Sequence, residues 1–165
     1  MGSPLYYANV SVHLLAAMFW LGGMFFFAIV GAPALRRVEP ETLRADLFEQ
    51  LGRHFRTAGW IAIGVLLVTG TFNLWFRGML SADVLGRAGF WATPFGRALG
   101  WKLVAVAAML VASAVHDFAL GPAASRLAPG SPGADRARRA AALLARFTAA
   151  LGILVVVLAV LLARG

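Results

Sequence analysis

The sequence predicts an all-α integral membrane protein, an antiparallel up-down four-helix bundle with a short cytoplasmic amphipathic helix, in a single domain over residues 1–165. Of its 165 residues, 61% are hydrophobic and only 13% are charged, whereas a soluble domain is about half apolar and about a quarter charged. This excess is too large for the interior of a small globule, so lipid must surround much of it. Four apolar segments approach or exceed the roughly 20 residues that a helix needs to cross a bilayer.

The four segments differ in where their first charged residues fall. The first has no Asp, Glu, Lys or Arg before Arg36, and the second is uncharged from Thr57 to Phe76. The third carries Lys102 near its start and Asp117 near its end, and the fourth is a continuous apolar run at the C-terminus. We expect membrane helices at about residues 5–35, 54–77, 98–121 and 140–163.

The sequence also predicts the structure of the connections between these segments. Leu43, Leu47 and Leu51 are spaced four residues apart, with charged residues on the other faces. This pattern predicts an amphipathic helix that either lies on the membrane or extends the second span. The stretch "LSADVLGRAGFWATPFGR" joins the second and third helices, and "LAPGSPGADRARR" is a Pro/Gly linker into the fourth.

The basic residues predict the orientation. The net charge is +8, and the side that holds the 36–56 and 122–146 connections carries ten of the fifteen basic residues, leaving five for the other side. The positive-inside rule then places the 36–56 connection in the cytoplasm and both termini outside, in a bacterial or archaeal cytoplasmic (inner) membrane. Arginines between apolar segments face the anionic leaflet, and no motif indicates nucleic acid as a partner.

The three histidines of the chain, His13, His54 and His116, all lie on spans or at their edges. Ionisable residues within spans are costly and tend to mark function. From the helical rise of about 1.5 Å per residue, His54 and His116 share the cytoplasmic leaflet. His13 lies near the opposite face, at roughly the depth of Lys102 and about 15 Å or more from His116.

Haem b is the cofactor that these histidines favour. The chain has no Cys, which excludes disulfides, thiolate zinc sites, iron–sulfur clusters and covalently attached haem. Haem b needs one or two axial imidazoles, and four-helix bundles build such sites from facing helices. We expect His116 as the best ligand, with His54 as its partner by depth and Arg53, Arg56 and Arg146 as partners of the propionates. Such a protein would transfer single electrons to or from quinone or a periplasmic redox protein.

Two other functions remain open on the same residues. Cu(I) accepts imidazole and thioether ligands, so His13 with Met18 or Met24, and Met109 opposite, could form a copper passage. A cofactor-free scaffold or assembly subunit would use its histidines only for hydrogen bonds between helices. The sequence does not favour an independent hydrolase, since it has no Ser–His–Asp arrangement, no HExxH and no P-loop.

The lipid bilayer is the partner that the composition requires. Small residues on a membrane helix let another helix approach closely. Gly23 and Gly31 on the first helix therefore also allow packing against a second copy, so a homodimer stays open.

Three stretches occur in the order typical of one membrane family. "HLLAAMFWLGGMFFF", followed by "APALRR", resembles the first helix of the CopD-like family; "LGRHFRTAGWIAIGVLLVTGTFNLW" resembles the second, and "TPFGRALGWKLVAVAAMLV" the third. The resemblance covers about residues 8–120. It implies a small helical membrane protein with a role related to copper.

The same superfamily contains the HemJ-type protoporphyrinogen oxidases, which are similar helical membrane proteins that bind haem b. The matching residues are His13, Trp20 and Gly23 on the first helix and Trp101, Lys102 and His116 on the third. The resemblance implies that His13, Trp20 and Lys102 belong to the cofactor site, and that any enzymatic activity is that of a haem-dependent oxidoreductase of this type. The basic residue that HemJ-type proteins carry later in the first helix has no counterpart here, since residues 28–31 are apolar or Gly.

Overall fold

The computed structural model describes residues 3–126 and 131–164, and within these ranges the chain is helical, with no β-strand. Two π-helical segments, π1 (Phe27–Gly31) and π2 (Val115–Leu120), are inserted without a break between α-helices. The α-helices are α1 (Pro4–Phe26), α2 (Ala32–Leu35), α3 (Glu41–Phe76), α4 (Ala82–Leu85), α5 (Ala88–Ala92), α6 (Pro94–Ala114), α7 (Gly121–Arg126) and α8 (Pro132–Arg164).

Four of the described helical stretches are long and apolar enough to cross a membrane, and they are Pro4–Leu35, Glu41–Phe76, Pro94–Ala123 and Arg139–Ala163. The predicted class, an all-α multi-pass membrane protein, is confirmed. Of the two alternatives for the amphipathic segment, the structure has the second. The segment is not a separate helix, because α3 continues from Glu41 through Thr57 into the span without a break.

Two further helices, like α3, begin earlier than their apolar runs. The third predicted span starts at Pro94 because Thr93 caps the helix: its Oγ1 accepts a hydrogen bond from the Gly96 N–H at 3.0 Å. Proline suits the first position of a helix, where its missing N–H is not needed. The fourth helix likewise begins at Pro132, within the stretch predicted as a linker. The part of that linker at residues 127–130 lies outside the described residues.

The chain forms two compact units, Met1–Gly86 and Arg87–Gly165, called here the N-terminal and C-terminal units. In the N-terminal unit α1 packs antiparallel against α3, so that Tyr6 meets Phe76 at one end, with ring centroids 5.7 Å apart. In the C-terminal unit α8 packs along α6 and also contacts π2 and α7. That both units form one domain stays a prediction.

The buried positions of each unit lie on its long helices. In the N-terminal unit they include Trp20, Ala62 and Ile63, and in the C-terminal unit Leu99 and Met109. Many large apolar side chains are instead exposed on the outer faces of the helices. This distribution fits a lipid environment, where small residues let helices approach closely and exposed apolar side chains have no cost.

Gly96 is a position where a side chain would collide with backbone. A Cβ there would overlap the carbonyl oxygen of Phe90, where α5 meets α6, and would lie 3.0 Å from the Trp91 Cα. Because backbone atoms cannot move aside easily, we expect Gly96→Ala to lower the free energy of unfolding by about 1–3 kcal/mol. Unfolding in mixed detergent micelles measures this. Gly89→Ala is the control, since a Cβ at Gly89 meets nothing within 4 Å; equal losses in both variants would contradict the prediction.

Candidate functional site

A cluster of four polar side chains joins α1 to α3 inside the apolar N-terminal unit. His13 on α1 has its Nδ1 2.7 Å from the Thr69 Oγ1 on α3. Asn9, one helical turn before His13, donates from its Nδ2 to the Thr69 carbonyl and to the Asn73 Oδ1, both at 2.9 Å. We call these four residues the Asn9–His13–Thr69–Asn73 cluster. It fixes how the two helices face each other at this level.

The hydrogen bonds of the cluster favour hydrogen on one of the two ring nitrogens of His13. The Thr69 hydroxyl has one hydrogen, which it donates to the Val65 carbonyl at 2.6 Å. Its oxygen is then the acceptor toward His13, so the Nδ1 of His13 is the donor. In a neutral imidazole the other nitrogen carries the lone pair. The Nδ1–H tautomer that this pattern favours is the one whose metal-ligating nitrogen is Nε2.

The other two histidines are held in the same way on different acceptors. The Nδ1 of His54 lies 2.8 Å from the Gln50 carbonyl, one turn back on the exposed face of α3. The Nδ1 of His116, in π2, lies 2.9 Å from a carboxylate oxygen of Asp117. A carbonyl or carboxylate oxygen only accepts, so each Nδ1 donates. Histidines that bind metals almost always donate their other N–H to such a partner.

The histidines of the N-terminal unit do not share a site. His13 contacts Thr69, which lies 15 residues after His54 on the same helix, a distance of about 22 Å along the helix axis. In the C-terminal unit Lys102 and His116 are 14 residues apart on one continuous helical stretch, or about 21 Å. The expected pairing of His54 with His116 joins the two units and stays a prediction, as does His13 with Lys102.

Trp20 has a packing role in the structure. Its side chain is 6% exposed, and its indole Cδ1 and Nε1 lie 3.6 Å from the point where a Cβ on Gly59 would be. The indole thus fills the space that the missing side chain of Gly59 leaves between α1 and α3. Contact between Trp20 and a cofactor stays a prediction.

The basic residues expected at a cofactor rim have different surroundings. Arg53 forms an ion pair with Glu49 at 2.9 Å, one turn away on the exposed face of α3. Exposed pairs of this kind contribute little stability. Arg56 and Lys102 are half-buried, and Arg146 is exposed on α8. Their binding to propionates or to another cofactor group stays a prediction.

Among the described residues, no three His, Cys, Asp or Glu side chains come close enough together to hold one metal ion. A metal bound within either unit would therefore have one histidine at most from these side chains, or a histidine with a single carboxylate such as Asp117. Sites with so few protein ligands suit an ion that binds and leaves.

Sequence reasoning found the histidines but not their partners as site residues. Thr69, Asn73 and Asn9 complete the cluster around His13, and Asp117 holds His116. The sequence feature that could have indicated these partners is the four-residue spacing of polar residues on the apolar spans. Asn9 and His13 are four residues apart on an apolar span, as are Thr69 and Asn73 on the next, and residues at this spacing share one face of a helix.

Comparison with known proteins finds one similar protein and one family. A protein of Aquifex aeolicus (strain VF5), described only as uncharacterized, is 35% identical over 63 residues, or 38% of this chain. The chain spans 43% of the length of that relative. No solved structure matches the chain.

The family model of CopD, described as copper resistance protein D, matches residues 49–162. The match starts inside α3, later than the resemblance of residues 8–120 suggested, and continues through α8. It contains His54, Lys102 and His116, whereas His13 and Trp20 precede it. It does not extend to the HemJ-type enzymes, so that link stays a prediction. Because the match covers more than half of the 165 residues, this chain belongs to the copper resistance protein D family.

Proposed function

We propose that this membrane protein handles copper, with Cu(I) as its cargo, and that His13 binds the ion within the first span. The family supports copper as the metal. The observation that carries the proposal is that each of the three imidazoles has its Nδ1 within hydrogen-bond distance of an oxygen atom, as is usual for histidines that bind metals. Imidazole is a suitable ligand for copper, and thioether sulfur selects Cu(I).

The donor set fits a passing ion better than a stored one. Thioethers are available on both units, with Met24 half-buried on α1 and Met109 6% exposed on α6. His13 and His54 lie toward opposite ends of the N-terminal hairpin, about 22 Å apart along α3. Passage through a membrane requires sites that bind an ion well enough to admit it and weakly enough to release it. Histidines that are far apart and have few other ligands beside them meet that requirement. The protein would lie in a cytoplasmic membrane, with the arginine-rich ends of its helices facing the cytoplasm.

The test is a metal-binding measurement on the purified protein in detergent. Cu(I) is added anaerobically and competed with the chelator bicinchoninic acid, whose copper complex is coloured. We expect stoichiometric Cu(I) to be retained against the chelator. Protein that yields all of its copper at the lowest chelator concentration, as an empty micelle does, would contradict the proposal. Copper tolerance of cells with and without the gene gives the matching measurement in vivo.

Haem b is the second candidate, and the bond between His116 and Asp117 is the observation that favours it. A carboxylate that accepts the Nδ1–H of an imidazole raises the basicity of the other nitrogen, which suits an axial ligand of haem iron. His116 also lies in π2, and π-helical turns are frequent at functional sites. Haem b would supply one-electron redox chemistry, with quinone, a periplasmic redox protein or a porphyrinogen as the reaction partner.

The visible spectrum separates the two candidates. Because copper is the favoured cargo, we expect protein purified from haem-replete cells to show no Soret band. A Soret band with sharp reduced α and β bands would overturn this expectation. In that case His116→Ala should remove the band, while His54→Ala decides whether His54 is the second axial ligand.

A further inference from the structure

The N-terminal and C-terminal units have the same order of elements. Each first helix is capped by a hydroxyl residue that is followed by proline. The Ser3 Oγ accepts a hydrogen bond from the Tyr6 N–H at 3.3 Å. The Thr93 Oγ1 accepts one from the Gly96 N–H at 3.0 Å. Helix α1 then continues into π1 and α2, as α6 does into π2 and α7, and a second long helix follows, α3 in one unit and α8 in the other.

The first span of each unit is interrupted at the same place. Pro33 follows π1 and Pro122 follows π2, and these two prolines are 89 residues apart. In both units the residue before the proline donates its N–H to the carbonyl five residues back, which closes the π-helical turn. Such turns are rare, so the general apolar character of the spans does not explain one at this place in each unit.

A shift of 89 residues also matches the buried positions of the two units. Three buried positions of α3 fall on three buried positions of α8: Gly59 on Thr148, Ile63 on Gly152, and Thr69 on Leu158. The fourth buried residue of α3, Ala62, falls on the half-buried Leu151. In the first helices the shift takes Trp20 to Met109, and each is 6% exposed. One value of the shift therefore fits both helices of the unit, which the periodicity of a single helix does not require.

A contact between the two helices of each unit follows the same correspondence. Gly23 lies against Phe55 in the N-terminal unit, since a Cβ on this glycine would be 2.6 Å from the Phe55 ring. The counterparts of these two residues, Ala112 and Leu144, line one apolar groove of the C-terminal unit. In both units a small residue on the first helix is thus paired with a large one on the second helix.

A second pair keeps the correspondence with the sizes exchanged. Phe19 and Ala58 line one apolar groove of the N-terminal unit, and their counterparts, Ala108 and Phe147, line the groove of the C-terminal unit. The large residue is on the first helix in one unit and on the second helix in the other. Because this exchange conserves the side-chain volume of the pair, it is of the kind that packing tolerates best.

We propose that this chain is an internal repeat, in which one helical hairpin occurs twice with a shift of 89 residues and the same register between its two helices. His13 and Lys102 then hold one position of the repeat, so each unit has an ionisable side chain at that level of its first span. Many secondary transporters are built from internal repeats, with spans interrupted by Gly or Pro in corresponding positions. The repeat therefore supports passage of an ion, and only this last step rests on the proposed function.

The test transfers one packed pair from the first copy of the hairpin to the second. Trp20 packs over Gly59, so the repeat requires Met109 to pack against Thr148. Met109→Trp places a larger side chain there, and overpacking destabilises a protein. We expect Met109→Trp to lower the SDS midpoint of unfolding in mixed micelles, and Met109→Trp/Thr148→Gly to raise it again. A midpoint in the double variant no higher than in Met109→Trp would overturn the repeat.

Met109→Trp/Leu151→Gly is the matched control. It also introduces a glycine into α8 and removes a side chain, but at the counterpart of Ala62 instead of Gly59. We expect no recovery of the unfolding midpoint in this variant. Recovery equal to that of Met109→Trp/Thr148→Gly would show that any added space relieves the tryptophan, and would count against the register that the repeat requires.

A milder transfer decides the matter if Met109→Trp does not fold. Leu144→Phe introduces the counterpart of Phe55, and the repeat predicts that Ala112→Gly, which introduces the counterpart of Gly23, restores the unfolding midpoint that Leu144→Phe lowers. Absence of that recovery would overturn the repeat. These measurements use metal-free protein, so a protein that binds no Cu(I) but shows both recoveries keeps the repeat and loses the proposed function.

Discussion

His13→Ala is expected to lower the affinity of the protein for Cu(I) by at least about 100-fold. Loss of an orienting partner alone costs 10–100-fold in typical metal sites, and loss of the ligand itself costs no less. His13 is the histidine whose ring is fixed by a side chain from a second helix inside the apolar part of the chain. A fixed ring does not lose its mobility on binding, so its contribution to affinity is large. Competition with bicinchoninic acid measures the change.

His54→Ala is the matched control for that experiment. The His54 ring is exposed, and its Nδ1 bonds to the Gln50 carbonyl one turn back on the same helix, so its removal should leave the tightest Cu(I) site nearly unchanged. His116→Ala tests the C-terminal unit. A large loss in both His13→Ala and His116→Ala would mean that the two histidines serve one ion. No loss in His13→Ala would contradict the placement of the site in the first span.

The spans could be predicted from the sequence because the requirement that produces them is local. A stretch in lipid must satisfy its backbone internally, so each long apolar run becomes a helix whatever its partners. The ends of the helices were harder to predict. They depend on single capping residues such as Thr93, and on whether a polar segment continues a helix, as the segment from Glu41 to Thr57 does. The segments π1 and π2 left no signal, since a shift from α to π hydrogen bonding does not alter an already apolar pattern.

The site could be predicted only in part, for a related reason. Histidine in a span is rare enough to notice, so His13 and His116 were found from residue type alone. Thr69 was not identified as a site residue because it lies 56 residues from His13. Its role depends on which face of α1 meets which face of α3. Trp20 was assigned to a cofactor by its place in a motif, whereas its surroundings are those of a packed interior residue.

Trp20→Ala should therefore lower the free energy of unfolding of the protein by about 3–5 kcal/mol, the usual cost of truncating a buried aromatic side chain. The indole is 6% exposed and fills the space over Gly59, so alanine would leave a cavity between α1 and α3. Unfolding in mixed detergent micelles measures the loss. Trp101→Ala is the control, because that side chain is 67% exposed and its truncation should change stability little.

Trp20→Phe separates packing from a direct role in a cofactor site. Phenylalanine retains most of the buried ring, so we expect a smaller loss of stability than in Trp20→Ala. We also expect an unchanged affinity for Cu(I), since Trp20, which contacts Gly59, lies seven residues from His13 along α1, or about two helical turns. A variant that keeps its stability but loses bound metal or haem would instead place the indole in contact with that group. The two substitutions together thus decide whether the shared motif of His13 and Trp20 reflects one site or two separate requirements of the same helix.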